Sequence, residues 1–187
     1  MASPSGAVYA LDSETGCAYW TFKARAGVRT AISVGPVTLA GEPHYAIYFS
    51  DGQARAYAVD AQTGKLIWSR KVDDHPAARA TGAPVLHGNR LYVPLSGVSE
   101  ETAASMPDYE CCTFRGSITS LDATTGEVVW KTYTVDEPRP RGKSTTGTQL
   151  WGPAGSPIWS TPTVTELLNP WGLPIAITVS PTIRLSE

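Results

Sequence analysis

Cysteine is scarce in this 187-residue chain: Cys17 and the adjacent Cys111-Cys112 are all there is. No Cys-x-x-Cys-His occurs, which excludes covalent haem attachment within these residues. Charge is equally sparse. Lys and Arg total 15 against 17 Asp and Glu, a net charge of -2, and the two signs are interspersed. Neither a basic patch nor an acidic block is present, so nothing points to nucleic acid as a partner. No apolar run approaches the roughly 18 residues that a membrane-spanning helix needs, and no membrane span is expected. Met1-Ala2-Ser3-Pro4-Ser5 lacks the order of a secretory signal, which leaves the compartment open at this level.

What the chain does have is a repeat. The pattern Asp-x-x-Thr-Gly-x-x-x-Trp occurs at Asp12–Trp20, Asp60–Trp68 and Asp122–Trp130. Each copy follows an alternating run, such as Ala7-Val8-Tyr9-Ala10-Leu11, that reads as a half-buried strand. The Asp side chain of such a turn accepts hydrogen bonds from N–H groups two or three residues on, and the Gly supplies the positive φ that closes the bend. The second strand ends on Trp, large enough to wedge between neighbouring sheets. A hairpin cannot bury both faces alone, so these units must stack. Asp12 and Asp60 lie 48 residues apart, the length of a four-stranded propeller blade. Asp60 and Asp122 lie 62 apart, which predicts an insertion of about 14 residues within Ser96–Asp108.

The fold class is therefore all-β, a partial β-propeller of about three to four blades over residues 1–164, with 165–187 an unassigned tail. Gly6–Trp20 reads as the last two strands of a blade, so the chain is expected to be an internal piece of a longer propeller. Thr81–Leu86 is expected to be a strand entering the next blade, and Leu150–Val164 the start of a fourth. Pro138–Gly147 reads as a polar loop too long for a hairpin, of the kind that carries function on rigid scaffolds. Cys17 falls in a turn and is expected to be a free thiol. Cys111-Cys112 reads either as two small buried residues or as a vicinal disulfide.

The repeats resemble those of the quinoprotein alcohol dehydrogenases, eight-bladed propellers that hold pyrroloquinoline quinone (PQQ) on their axis. Val72–Arg79, Tyr109–Gly116 and Trp151–Gly155 through Trp159–Pro162 resemble the polyvinyl-alcohol-oxidising branch of that family. The resemblance implies a PQQ- and Ca²⁺-dependent oxidation of secondary alcohols in the periplasm, with a c-type cytochrome as electron acceptor. It places Trp159 as the floor under the quinone, and Arg29, Thr81 and Arg115 among its rim donors. It makes Glu110 the calcium ligand and Cys111-Cys112 the disulfide that covers the quinone's other face. From the residues alone, Trp159 is equally a blade-packing ring, Arg29 an exposed loop arginine, Thr81 a turn hydroxyl, Glu110 a solvated carboxylate and Arg115 half of a blade-edge salt bridge. The family's Thr-Gly-Asn segment is not recognisable after Val164, and no aspartate follows Asp136 to serve as general base. No catalytic residue is assigned for that reason, and the chain alone is expected to be inactive. The alternative from another class is a non-catalytic propeller of the same repeats that binds proteins as a scaffold.

Overall fold

The three repeat turns fold alike. In the computed structural model, which describes residues 5–98, 100, 105–164 and 177–178, Asp60 Oδ1 accepts from Gln62 N at 3.1 Å, Thr63 N at 2.7 Å and Thr63 Oγ1 at 2.8 Å. Asp12 and Asp122 receive the same donors from their own turns. Gly16, Gly64 and Gly126 take φ of 72°, 71° and 72°, a backbone region that costs glycine least. Each hairpin carries a one-residue bulge on its returning strand, at Tyr19, Ile67 and Val129, opposite the residues that precede its Asp.

These hairpins sit inside a stack of twisted sheets. β1 (Ala7–Leu11) and β2 (Ala18–Lys23) form a two-stranded ribbon. β3 (Ser33–Leu39), β4 (Glu42–Ser50), β5 (Arg55–Asp60) and β6 (Leu66–Lys71) form a complete antiparallel blade in chain order. The next blade runs β11 (Val128–Tyr133), β10 (Ser117–Asp122), β9 (Arg90–Gly97), and its fourth position is split. β8 (Val85–His87) pairs with one end of β9, and β7 (Ala78–Arg79) with the other. The strand expected over Thr81–Leu86 is thus interrupted: Thr81–Pro84 leave the ladder, and only Val85 onward rejoins it. The predicted insertion within Ser96–Asp108 falls largely in the connection between β9 and β10, residues 98–116, where the preceding blade has only 51–54.

One expectation is overturned. Residues 138–147 are not an open loop: β12 (Arg139–Lys143) pairs with β13 (Gln149–Gly152) as a hairpin. Its tip closes through Ser144 N donating to Thr148 O at 2.8 Å, with Gly147 at φ 91°. The hydroxyls of Ser144, Thr146 and Thr148 bond one another and the Pro107 carbonyl, which supplies the tip with partners that a count of loop residues does not reveal. Leu150–Gly152 therefore belong to this hairpin, and the fourth blade is represented by β14 (Thr163–Val164), paired with β15 (Ile177–Thr178). The tail assignment for 165–187 otherwise lies outside the described residues.

Two apolar clusters glue successive sheets. Val8, Ala24, Val28, Phe49, Tyr57 and Val59 join the ribbon to the first full blade. Ala56, Ala58, Tyr48, Trp68, Leu91 and Leu121 join that blade to the next. The repeat tryptophans bridge the same gaps. Trp20 Nε1 donates to Ala61 O at 3.1 Å, and Trp68 Nε1 to Ala123 O at 2.9 Å. Each ring lies flat over the following turn's glycine: a Cβ on Gly64 would sit 2.7 Å from Trp20, and one on Gly126 2.6 Å from Trp68. The glycine is required there by close approach as well as by φ.

Candidate functional site

Antiparallel order sends every repeat turn to one end of the stack and every connection between blades to the other. Residues 24–32, 51–54, 72–84, 98–116 and 134–162 all emerge at that second end. All seven residues singled out in the sequence lie in these connections, although they are spread over 131 positions from Arg29 to Trp159.

A first cleft of about 420 Å³ is lined by Gly27, Arg29, Gln53, Arg79, Thr81 and Val98. Its backbone is fixed from behind. Thr30, buried beside Arg29, donates through Oγ1 to Ser50 O and accepts from Ser50 N, so Arg29 projects from a pinned segment. Arg79 Nη1 donates to Pro76 O at 2.8 Å and Ala78 O at 2.7 Å. Those contacts orient the guanidinium, and among the described residues its other N–H groups have no partner. Thr81 Oγ1 lies 2.8 Å from Ser96 Oγ, which in turn donates to Arg79 O. The break between β7 and β8 is what frees Thr81 to face the cleft. Behind it, Gly82 is pressed so tightly against Ser160 that a Cβ would lie 2.5 Å from Ser160 O. The segment carrying Thr81 and the segment carrying Trp159 therefore abut. Trp159 itself is 53% exposed among the described residues, against 9% for Trp68.

The second part of the site is the Glu110–Gly116 string. Cys111 and Cys112 are paired through their sulfurs. Strand β13 clamps them, with Trp151 N donating to Cys111 O at 2.7 Å and Cys112 N to Trp151 O at 3.4 Å. Trp151 Nε1 donates to Glu110 Oε2 at 3.2 Å. Glu110, Thr113, Arg115, Glu137 and Trp151 line one cleft of about 430 Å³. Tyr109, Cys111, Cys112, Arg141, Thr146 and Trp151 line another of about 670 Å³, so Trp151 forms a wall common to both. Arg115 stacks 3.7 Å over the Tyr133 ring, a cation–π contact; among the described residues it forms no salt bridge. Among the described residues, no group of three or more His, Cys, Asp or Glu is assembled; Glu110 and Glu137 are the two carboxylates of their cleft.

Beneath the string lies Glu100, 6% exposed. Its carboxylate accepts from Thr113 N at 2.7 Å, Phe114 N at 2.8 Å and Tyr109 OH at 3.1 Å. His75 Nε2 lies 3.0 Å from Thr113 Oγ1 and 3.9 Å from Glu100 Oε1. Burial, followed by the Glu100 charge, pushes the Tyr109 phenol above its ordinary pKa. A buried carboxylate satisfied by two backbone N–H groups fixes the loop that carries the cysteine pair.

The profile of a PQQ-repeat family described as outer membrane protein assembly factor BamB matches residues 1–153. A polyvinylalcohol dehydrogenase of Pseudomonas sp is 46% identical over 165 residues, an alignment covering 88% of this chain and 26% of that protein. That of Sphingopyxis sp. (strain 113P3) is 45% identical over 165 residues, covering 88% and 25%. A quinoprotein ethanol dehydrogenase of Pseudomonas putida is 31% identical over 171 residues, covering 85% and 25%. The chain belongs to the quinoprotein alcohol dehydrogenase family of PQQ-repeat proteins. It spans about a quarter of the length of the curated relatives it matches. Among solved structures, the quinohemoprotein alcohol dehydrogenase of Pseudomonas putida HK5 superposes with a TM-score of 0.60 at 22% identity, over 91% of this chain and 25% of that one. The enzyme from Comamonas testosteroni gives 0.52 at 22% identity, over 79% and 20%. These two likenesses establish the propeller architecture.

Within this quinoprotein frame, the structure brings Arg29 and Thr81 to one cleft and Glu110 and Arg115 to another. Cys111 and Cys112 line the third, which shares a wall with the second. Sequence reasoning missed Arg79, Trp151 and Glu100 as site residues. Trp151 carried a usable signal, being a tryptophan outside the nine-residue repeat. Arg79 closes the Val72–Arg79 segment, where nothing in the chain order sets it apart from an exposed loop arginine. Glu100 had no signal, because its partners 9 to 14 residues on are united by tertiary folding.

Proposed function

We propose that this chain forms the cofactor-cradling portion of a PQQ- and Ca²⁺-dependent dehydrogenase of secondary alcohols, including polyvinyl-alcohol-like chains, that passes electrons to a c-type cytochrome in the periplasm. The observation that carries the reading is the concentration of cationic donors at one cleft, Arg29 and Arg79, with the Thr81 hydroxyl and Gln53 beside them. PQQ is a flat tricarboxylate, and such a group calls for guanidinium forks and hydroxyls around its rim. The identity to two polyvinylalcohol dehydrogenases supports the substrate class. When bound, the quinone supplies a hydride acceptor and a hard cation supplies Lewis acidity at its carbonyl. Of this chain's residues, Arg29 and Arg79 would pair with carboxylates, Thr81, whose hydroxyl proton is directed at Ser96 Oγ, would offer its oxygen as an acceptor at the rim, and Glu110 would contribute a carboxylate oxygen to the cation. Exposed Trp159 presents a ring face for stacking.

Titration of the full chain with PQQ and Ca²⁺, followed by tryptophan fluorescence, tests the reading. Saturable quenching is expected, with affinity weakened at least roughly tenfold by Arg79→Ala or Arg29→Ala. Trp159→Ala is expected to reduce the quenching amplitude. A folded sample with no saturable change would overturn the proposal and favour a protein-binding scaffold, the reading that the matched assembly-factor profile otherwise supports.

A further inference from the structure

Two connections in this stack are far longer than their counterparts, and together they build one groove. Within the first full blade, β4 and β5 are joined by residues 51–54, whereas β9 and β10 of the next are joined by 98–116. Between sheets, 24–32 follow β2 and 72–84 follow β6, whereas 134–162 follow β11 and carry the extra hairpin β12–β13. In repeat folds such insertions gather on one face and commonly make it the binding face. The cleft of about 670 Å³ lies between them, with Met106, Pro107 and Tyr109 on one wall and Arg141, Thr145 and Leu150 on the other. Every described residue that lines it belongs to one insertion or the other.

The two walls are tied to each other at both ends. At the hairpin tip, the Thr146 and Thr148 hydroxyls donate to Pro107 O. At its base, Cys111 and Cys112 exchange backbone hydrogen bonds with Trp151. The lining is mixed in one particular way. Met106 is 55% exposed and Leu150 36%, and with Tyr109 and Trp151 they offer apolar surface. Ser144, Thr145 and Thr146 set hydroxyls among them, and Arg141 is the one charged side chain among the described residues of the lining. A guanidinium only donates, so it suits an uncharged oxygen acceptor such as a hydroxyl. The cleft has the size of sites that enclose ligands of many atoms. A two- or three-carbon alcohol, at about 30 Å³ for each water-sized group, leaves most of it empty.

We infer that this groove binds a stretch of a neutral polyol chain, one that alternates apolar carbon and hydroxyl along its length. The choice of occupant rests on the proposed reading as a dehydrogenase of polymeric alcohols, and the groove is where such a chain is held away from its reacting carbon. The chain's methylenes lie against Met106 and Leu150, and its hydroxyls meet Thr145 and Arg141. Trp151 walls this groove and also the cleft of Glu110 and Arg115. A polymer long enough to cross Trp151 therefore touches both, and a short alcohol does not.

Calorimetric titration of the full chain with polyvinyl alcohol fractions of defined length, without quinone or cation, tests the site, with isopropanol as the short comparison. Saturable binding of the polymer is expected, with an affinity per hydroxyl at least roughly tenfold above that of isopropanol. Arg141→Ala, and Met106→Ala combined with Leu150→Ala, are each expected to weaken polymer binding roughly threefold to tenfold and to leave the quenching by PQQ unchanged. Hydrogen exchange on the wild-type chain reads the same site without any variant: the polymer is expected to slow exchange across residues 106–112 and 141–151 and not at the repeat turns. A folded chain that ignores the polymer overturns the proposal, as does binding that these variants leave intact or protection away from both walls. A parallel PQQ titration separates the two readings. Quenching without polymer binding removes the groove and keeps the cofactor cradle; polymer binding at these walls without quenching keeps the groove and removes the cradle.

Discussion

A single aspartate per repeat decides whether the outer hairpin turns. Asp60 is 6% exposed and still collects two backbone N–H groups and one hydroxyl. Burial alone would raise its pKa, but the hydrogen bonds from Thr63, Gln62 and His44 outweigh it and hold the carboxyl below the ordinary range. Asp122 is depressed in the same way, burial again being opposed by its turn's donors and by Arg90. A depressed folded pKa adds stability above the unfolded value near 3.9, which is lost as pH falls through the lower folded values. The urea midpoint is therefore expected to be flat above about pH 5 and to fall below about pH 4. Asp60→Asn keeps an acceptor without the charge and should flatten that slope. Asp60→Ala loses both and is expected to cost about 1–2 kcal/mol at neutral pH, read from urea unfolding.

Elements are joined by tryptophans and by one buried glutamate. Trp68→Phe keeps the ring but leaves Ala123 O with only the Tyr48 hydroxyl, an expected loss of about 1 kcal/mol. Gly126→Ala drives a Cβ into the Trp68 ring and imposes positive φ on alanine, so it should cost more. The double variant should cost less than the sum, because both act on one contact; urea midpoints of the four proteins give the coupling. Glu100 plays a comparable part at the other end. Replacing it with Ala orphans the N–H groups of Thr113 and Phe114, at about 2–4 kcal/mol. The same change is expected to loosen the Cys111–Cys112 segment, visible as faster amide exchange across residues 111–116.

At the scale of the molecule, the described sheets stack in sequence and pack chiefly on their neighbours, so stability is close to a sum over sheets and joints. Residues with no exposure concentrate in the interior strands, including Tyr48 and Phe49 of β4, Ala58 and Val59 of β5, Leu91 and Val93 of β9, and Leu121 of β10. Hydrogen exchange is expected to be slowest there and fastest in β1–β2 and β12–β13, whose outer sides lack a neighbouring blade among the described residues. Uniform protection across all strands would contradict this gradient. The hairpin β12–β13 is wholly exposed along Arg139–Lys143, yet it clamps the cysteine pair, so the part of the site it walls is the least stable.

The repeat motif by itself determined the hairpins, their bulged turns, the blade length and the all-β class, because Asp, Thr and Gly close a turn through bonds spanning five residues and need nothing from elsewhere. The sequence also determined that Trp20 and Trp68 bridge sheets, since a ring of that size at a strand end has no other place to be buried. It did not determine which residues share a cleft. Arg29, Arg79 and Thr81 meet because three sheets deliver their connections to one end, and Thr81 faces inward because β7 and β8 break around it. Residues 138–147 folded back as a hairpin whose tip is held from afar, because Thr146 and Thr148 reach the Pro107 carbonyl, a partner that chain order does not announce. Glu100 lies beneath the cysteine string for the same reason. Hydrogen bonds local in sequence are legible in it, and those that close only when distant segments pack are decided by the tertiary structure.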